Sequence, residues 1–229
     1  KEVILLLLII LLSVFLRFYK LGNIPNGLYV DEALTGYNAF SILLTGKDEY
    51  GKFLPLAFRF FGSYSPSLYV YLTAIVVKIF GLSIFSTRFF SAFFGVMGVI
   101  LVYFFLKYSD FLKFKYLPII GAFIFCISPW AIFFSRAGYE INLGFIILSL
   151  GILFLWLGLK KIKLIPLAYI FLSLSSYGSH LNRYLIPILV ILSLIYFKKE
   201  LFSKNTKIFT VVGLAFAFFI QIPNFYLFL

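Results

Sequence analysis

Asp31 and Glu32 stand side by side beyond an apolar run, Val3 to Tyr19, that reads as a membrane span. An ionisable side chain costs roughly 2.5–3.5 kcal/mol at mid-membrane, so acids in such sequence are rare unless they are used. Just past the end of a span and facing water, a carboxylate can serve as a base or a metal ligand at little solvation cost. The structural alternative is a pair that simply favours a helix N-terminus. A second group, Ser135-Arg136-Ala137-Gly138-Tyr139-Glu140, joins two apolar runs. Arg136 and Glu140 are four apart and could pair on one helical face or point into a cavity. A third group runs from Ser176 to Tyr184. Its Arg183 suits phosphate oxygens. Its His180 is the sole histidine, which excludes a multi-histidine metal site. Lys47-Asp48-Glu49-Tyr50-Gly51 reads as a solvated turn. No phosphate-cradling glycine loop, Ser/His/Asp triad or paired-cysteine motif occurs.

The elements that carry these groups are apolar. The chain is 63% hydrophobic and 12% charged, with mean hydropathy +1.07. A soluble domain cannot hide that much apolar surface, so the expected fold is an all-α polytopic membrane protein. Spans are expected near 3–19, 87–107, 116–134, 142–159, 164–179, 184–197 and 208–222, about seven in all. Ser67 to Phe80, between a Ser65-Pro66 start and a Gly81 stop, is short for a span and reads as an interfacial or re-entrant helix. Ala33, Tyr37, Phe40 and Leu44 form one stripe of an amphipathic helix that Gly46 ends, which puts Asp31 and Glu32 in its first turn. The whole of 1–229 reads as one transmembrane module, with 20–86 as a first outer loop holding two amphipathic helices. No internal repeat is visible.

The net charge of +12 comes from short segments between spans: Lys107, Lys113 and Lys115; Lys160, Lys161 and Lys163; Lys198, Lys199, Lys204 and Lys207. That is the positive-inside pattern and not a nucleic-acid surface. With seven spans, the N-terminus and all three lysine clusters share the cytoplasmic side. The outer face then gathers Asp31, Glu32, Asp48, Glu49, Arg88, Arg136, Glu140, His180 and Arg183. The inner face keeps mostly lysines, with Asp110 and Glu200 as the acids among them. Cys126, the only cysteine, reads as a small core residue. Met97 is the only methionine and the sequence stops in apolar residues, so both ends are expected to be cut. Residues 1–20 lack a small-residue cleavage site and read as a retained first helix.

Several segments, in order, resemble a known family. They are Asp31-Glu32-Ala33 with Tyr37 and Ala39, Thr45-Gly46-Lys47-Asp48, Pro66-Ser67-Leu68-Tyr69, Phe80-Gly81-Leu82-Ser83, Ser86-Thr87-Arg88, Ser128-Pro129-Trp130, Ser135-Arg136 with Glu140, and the Tyr177–Pro187 stretch. Together they resemble the GT-C class of polyprenyl-phosphate-sugar-dependent glycosyltransferases, whose members include protein O-mannosyltransferases and the aminoarabinose transferase of lipid A. The resemblance spans nearly all of 20–190. It implies an acidic pair in the first outer loop, helices lying along the membrane there, and a further acid in the next outer loop. One departure is Tyr64-Ser65, which stands where the aminoarabinose transferases carry a Glu-Lys pair.

The resemblance implies transfer of a sugar from a polyprenyl phosphate to a protein, lipid or glycan acceptor on the extracytoplasmic face of the cell membrane, with inversion. Asp31 would be the general base, with Glu32 and Glu140 shaping the catalytic site. Arg136, His180, Arg183 and Tyr64 would contact the substrate. No cofactor is certain. A divalent cation would need oxygen ligands here, which favours magnesium or manganese over zinc. The rival reading is a lipid or sugar transporter or flippase, which predicts charges near the midplane and two matching halves of broken helices.

Overall fold

The computed structural model describes residues 1–60, 63–109 and 114–225. Of the described residues, 75% are helical. Two compact units divide it, Lys1–Leu143 and Gly144–Leu229. Asp110 and Lys113, expected in an inner loop, lie outside the described residues.

The first unit opens with α1 (Glu2–Phe18), followed by α2 (Val30–Thr45), β1 (Ala57–Phe60), β2 (Ser63–Pro66), α3 (Ser67–Phe80) and α4 (Ile84–Tyr108). Then come α5 (Leu117–Ile127), α6 (Pro129–Arg136) and the start of α7 (Ile141–Gly158). The 25-residue α4 packs on α1, α2, α3, α5 and α6. Ile9, Val99, Tyr103, Ala122 and Cys126 form the core between α1, α4 and α5. Small residues allow the close approach: a Cβ added to Gly95 would overlap the Ser135 side chain and come within 2.9 Å of the Arg17 Nε. Close packing through small residues is the usual means of holding apolar helices together where lipid removes the hydrophobic drive.

Three local signals set the ends of the loop helices. Gly46 ends α2 at φ 70°, a left-handed conformation that glycine adopts without cost, and its N–H reaches the Ile42 carbonyl. Pro66 precedes α3 and Gly81 closes it at φ 76°. The Ser83 Oγ accepts the Ser86 N–H at the start of α4.

The span expected at 116–134 is broken. α5 and α6 meet at a 55° bend. Pro129 has no N–H for the Phe125 carbonyl, and Ser128 turns its hydroxyl to the Ala131 N–H to start a new helix. The freed carbonyls are taken by the fully buried Arg17, which donates to Cys126 O at 3.1 Å and Phe125 O at 3.4 Å. The first loop also departs from expectation by containing an antiparallel hairpin. Ala57 faces Pro66 and Phe60 faces Ser63, and the buried Phe58 packs with Ala39, Val70, Ala74 and Val77.

The second unit holds the rest of α7, a 3-10 turn at Ile162–Leu164, α8 (Ile165–Leu174) and a 3-10 turn at Ser175–Tyr177. α9 (His180–Tyr196), α10 (Lys198–Leu201) and α11 (Lys207–Phe225) follow. Its core is Leu155, Ile165, Ala168, Tyr169, Leu172 and Leu201. Gln221 and Asn224 on α11 donate to Ser173 and Ser176, and Asn224 Nδ2 donates to Gln221 Oε1, so these polar side chains pair inside an apolar bundle and leave the buried Asn224 Oδ1 without a partner among the described residues.

Among the described residues, three helices are long and apolar enough to cross a membrane: α4, α7 and α11. The bent α5–α6 pair makes four if counted as one span. A membrane protein is consistent with this. Seven spans do not follow from length, because α1 has 17 residues and the helices over 162–177 and 180–196 are also short.

Candidate functional site

Glu32 is the hub of the first unit. Its Oε1 accepts from the Arg88 Nε at 2.7 Å and from the Gly138 N–H at 2.6 Å. Its Oε2 accepts from Arg88 Nη2 at 2.9 Å and from the Tyr29 N–H at 2.9 Å. The Tyr29 bond is the carboxylate half of a capping box, made because Glu32 is the third residue of α2. Arg88 is presented by the second turn of α4, and both charges are buried. Burial alone would push the Glu32 carboxyl up. The Arg88 guanidinium and the two backbone amides outweigh it and hold the group below its ordinary value.

Two arginines fix the loop that leads to this helix. Arg88 also donates to the carbonyls of Leu21, Pro25 and Gly27. Arg136, the last residue of α6, donates to Leu16 O at 2.7 Å, Tyr19 O at 2.7 Å and Ile24 O at 2.8 Å. A cation on the terminal carbonyls of α1 is favoured by their exposed lone pairs and by the helix dipole. The helical pairing of Arg136 with Glu140 does not form, because α6 ends at Arg136 and Ala137 is extended. Arg136 is therefore buried beneath the first loop, with three carbonyls as partners, and is not presented as an open phosphate ligand.

Asp31 sits in the same first turn of α2 but is half-buried. It makes no hydrogen bond or ion pair among the described residues. The Tyr29 ring lies 5.9 Å from the Tyr139 ring, edge to face. Gly138, beside Tyr139, is bound to Glu32, so the second loop closes directly on the start of α2. A Cβ on Gly138 would come within 3.2 Å of the Thr87 carbonyl and 3.3 Å of the Glu32 Cγ, which explains a glycine there. The Tyr139 hydroxyl is pushed up to about 12, first by burial and then by the charges of Asp31, Tyr29, Glu32 and Glu140. Asp31, Glu32 and Glu140 thus act on one hydroxyl.

The other expected residues lie apart from this cluster or in the second unit. Tyr64 is exposed on β2, opposite Arg59. His180 opens α9 and Arg183 lies in its first turn, both in the second unit. Asp48 is not solvated as expected: it is buried, and its Oδ1 accepts the N–H groups of Tyr50 and Lys52 to close the turn. Among the described residues no group of three His, Cys, Asp or Glu could hold a metal. Glu32 does not fit a cation ligand, since each oxygen already has two donors and a guanidinium stands against it.

Sequence reasoning placed the acids but missed Arg88 as the partner of Glu32, the Gly138 amide, and Tyr29 and Tyr139. The available signal was Gly138-Tyr139 itself, a glycine and an aromatic between two charges in a short loop. Comparison with protein-family models, with curated proteins and with solved structures finds no match.

Proposed function

We propose that this chain carries the acceptor-activating site of an integral-membrane glycosyltransferase that uses a polyprenyl-phosphate sugar. The observation that carries the reading is the division of labour between neighbouring carboxylates. Glu32 is buried with four donors and holds the first and second loops together. Asp31, one residue away, is half-exposed beside Tyr29 and Tyr139. Neighbouring carboxylates in unlike environments are how one site separates a structural charge from a working base.

In this mechanism Asp31 accepts the acceptor O–H proton as that oxygen attacks the anomeric carbon. The bond from the anomeric carbon to the phosphate oxygen breaks, and polyprenyl phosphate leaves. Phosphate is a weak base, so no protonated acid is needed, unlike the two-carboxyl chemistry of glycoside hydrolysis. Attack from the side opposite the phosphate inverts the centre. Glu140 adds negative charge near Tyr139, and Arg88 and Arg136 hold the backbone that carries Asp31. The proposed topology has seven spans, the shorter helices crossing with their flanks, and an extracytoplasmic Asp31.

The test uses the full-length chain in proteoliposomes with radiolabelled polyprenyl-phosphate sugar and a membrane extract as acceptor. Release of free polyprenyl phosphate with label on the acceptor is expected. Movement of intact donor between leaflets without release would instead favour the flippase reading.

A further inference from the structure

We propose that Tyr29 and Tyr139 form the sugar subsite, taking the apolar C–H face of the donor's pyranose or furanose ring beside Asp31. The inference rests on the transferase reading above and adds the residues that recognise the carbohydrate. Tyr29 is the residue before α2, two positions from Asp31, and is 58% exposed. Tyr139 follows Gly138, whose N–H is fixed on Glu32 at 2.6 Å. The two rings meet edge to face at 5.9 Å, and Phe134 backs Tyr139 at 6.5 Å. The pair is therefore held by two different loops, and the bonds that hold it are those that hold α2.

The chemistry favours a sugar over other small ligands. A sugar ring has one face of C–H bonds, which suits the negative face of an aromatic ring, and a rim of hydroxyls. Asp31, whose charge acts on the Tyr139 hydroxyl, offers acceptors to those hydroxyls, and the charges of Asp31, Glu32 and Glu140 around that hydroxyl disfavour an anionic group at the same spot. Tyr139 keeps its proton at neutral pH, since its hydroxyl is pushed up to about 12 by burial and by the nearby carboxylates. It is thus a neutral donor as well as a surface. Tyrosines supply this mixed contact with little loss of side-chain freedom.

The experiment uses the full-length chain carrying Asp31→Asn in lipid nanodiscs, so that bound donor is not consumed. Binding of decaprenyl-phosphate mannose, glucose and arabinose is compared with that of decaprenyl phosphate alone. At least one sugar-bearing lipid should bind about three- to tenfold more tightly than the bare lipid. Tyr139→Ala and Tyr29→Ala should each remove that preference, and Tyr139→Phe, which keeps the ring, should retain most of it. Tyr29→Ala guards against misfolding, because Tyr29 is exposed and the Glu32 bond uses its backbone. A sugar preference that survives both alanine variants overturns the subsite and leaves the transferase reading standing. Absence of any preference, in a chain whose Asp31 form transfers sugar, does the same. No preference together with no transfer by the Asp31 form removes both.

Discussion

Burial opposes a charged Glu32, and Arg88 with two backbone amides favours it by more. The folded carboxyl therefore holds its proton less tightly than the unfolded one, whose ordinary value is 4.5. Its contribution to stability is complete above that value and is lost as pH falls through it and then through the lower folded value. Thermal unfolding of the detergent-solubilised chain should show an acid-side loss beginning near pH 4.5 that Glu32→Gln flattens. Arg88→Met leaves a buried carboxylate without its cation and should destabilise by about 3–5 kcal/mol, with Glu32→Gln in the same chain recovering part of it. Asp31-Glu32 and Glu140 were legible in the sequence as acids in loops between consecutive apolar runs. Which acid is buried was not legible. Beyond the capping bond to Tyr29, the partners of Glu32 are Arg88 and Gly138, 56 and 106 positions away, and no local pattern announces them.

Helix boundaries were the most legible level, and bends and crossings the least. α3 spans Ser67–Phe80 as Pro66 and Gly81 indicate, and α2 ends at Gly46. The apolar stripe of α2 was also visible, but Tyr37 and Leu44 on it are exposed, and the buried side is Glu32, Thr35, Gly36, Asn38 and Ala39. An apolar side turned outward and a polar side turned inward is the reverse of a surface helix packed on a soluble core. The hairpin at 57–66 was missed because four-residue strands give too few alternations to stand out from apolar surroundings. Pro129 was visible, but the bend also depends on Arg17 reaching the freed carbonyls from another helix. The crossing of α4 and α6 at Gly95 and Ser135 has a direct test. Gly95→Ala should destabilise by about 1–3 kcal/mol through overpacking. Ser135→Gly in the same chain should restore much of the loss, read as the unfolding midpoint in detergent.

For the molecule as a whole, composition was the strongest signal, and it identified an apolar helical protein with large exposed hydrophobic side chains along α1, α9 and α11. The number of crossings was harder to read, since a helix of 14 to 17 residues lies between a full span and an interfacial segment. The lysine clusters supply the proposed orientation, and labelling can test it. In a full-length chain with the buried Cys126 replaced by alanine, cysteines at Lys161 and Lys204 should be protected from an impermeant maleimide in intact cells. A cysteine at Tyr50 should be labelled. The central claim is that Asp31 removes the acceptor proton at a site built by Glu32, Arg88 and Gly138, and the most direct measurement is sugar transfer by full-length Asp31→Asn. The account predicts a fall of about 10²- to 10⁴-fold, with the unfolding midpoint and membrane level unchanged. Turnover equal to that of the parent chain would contradict it.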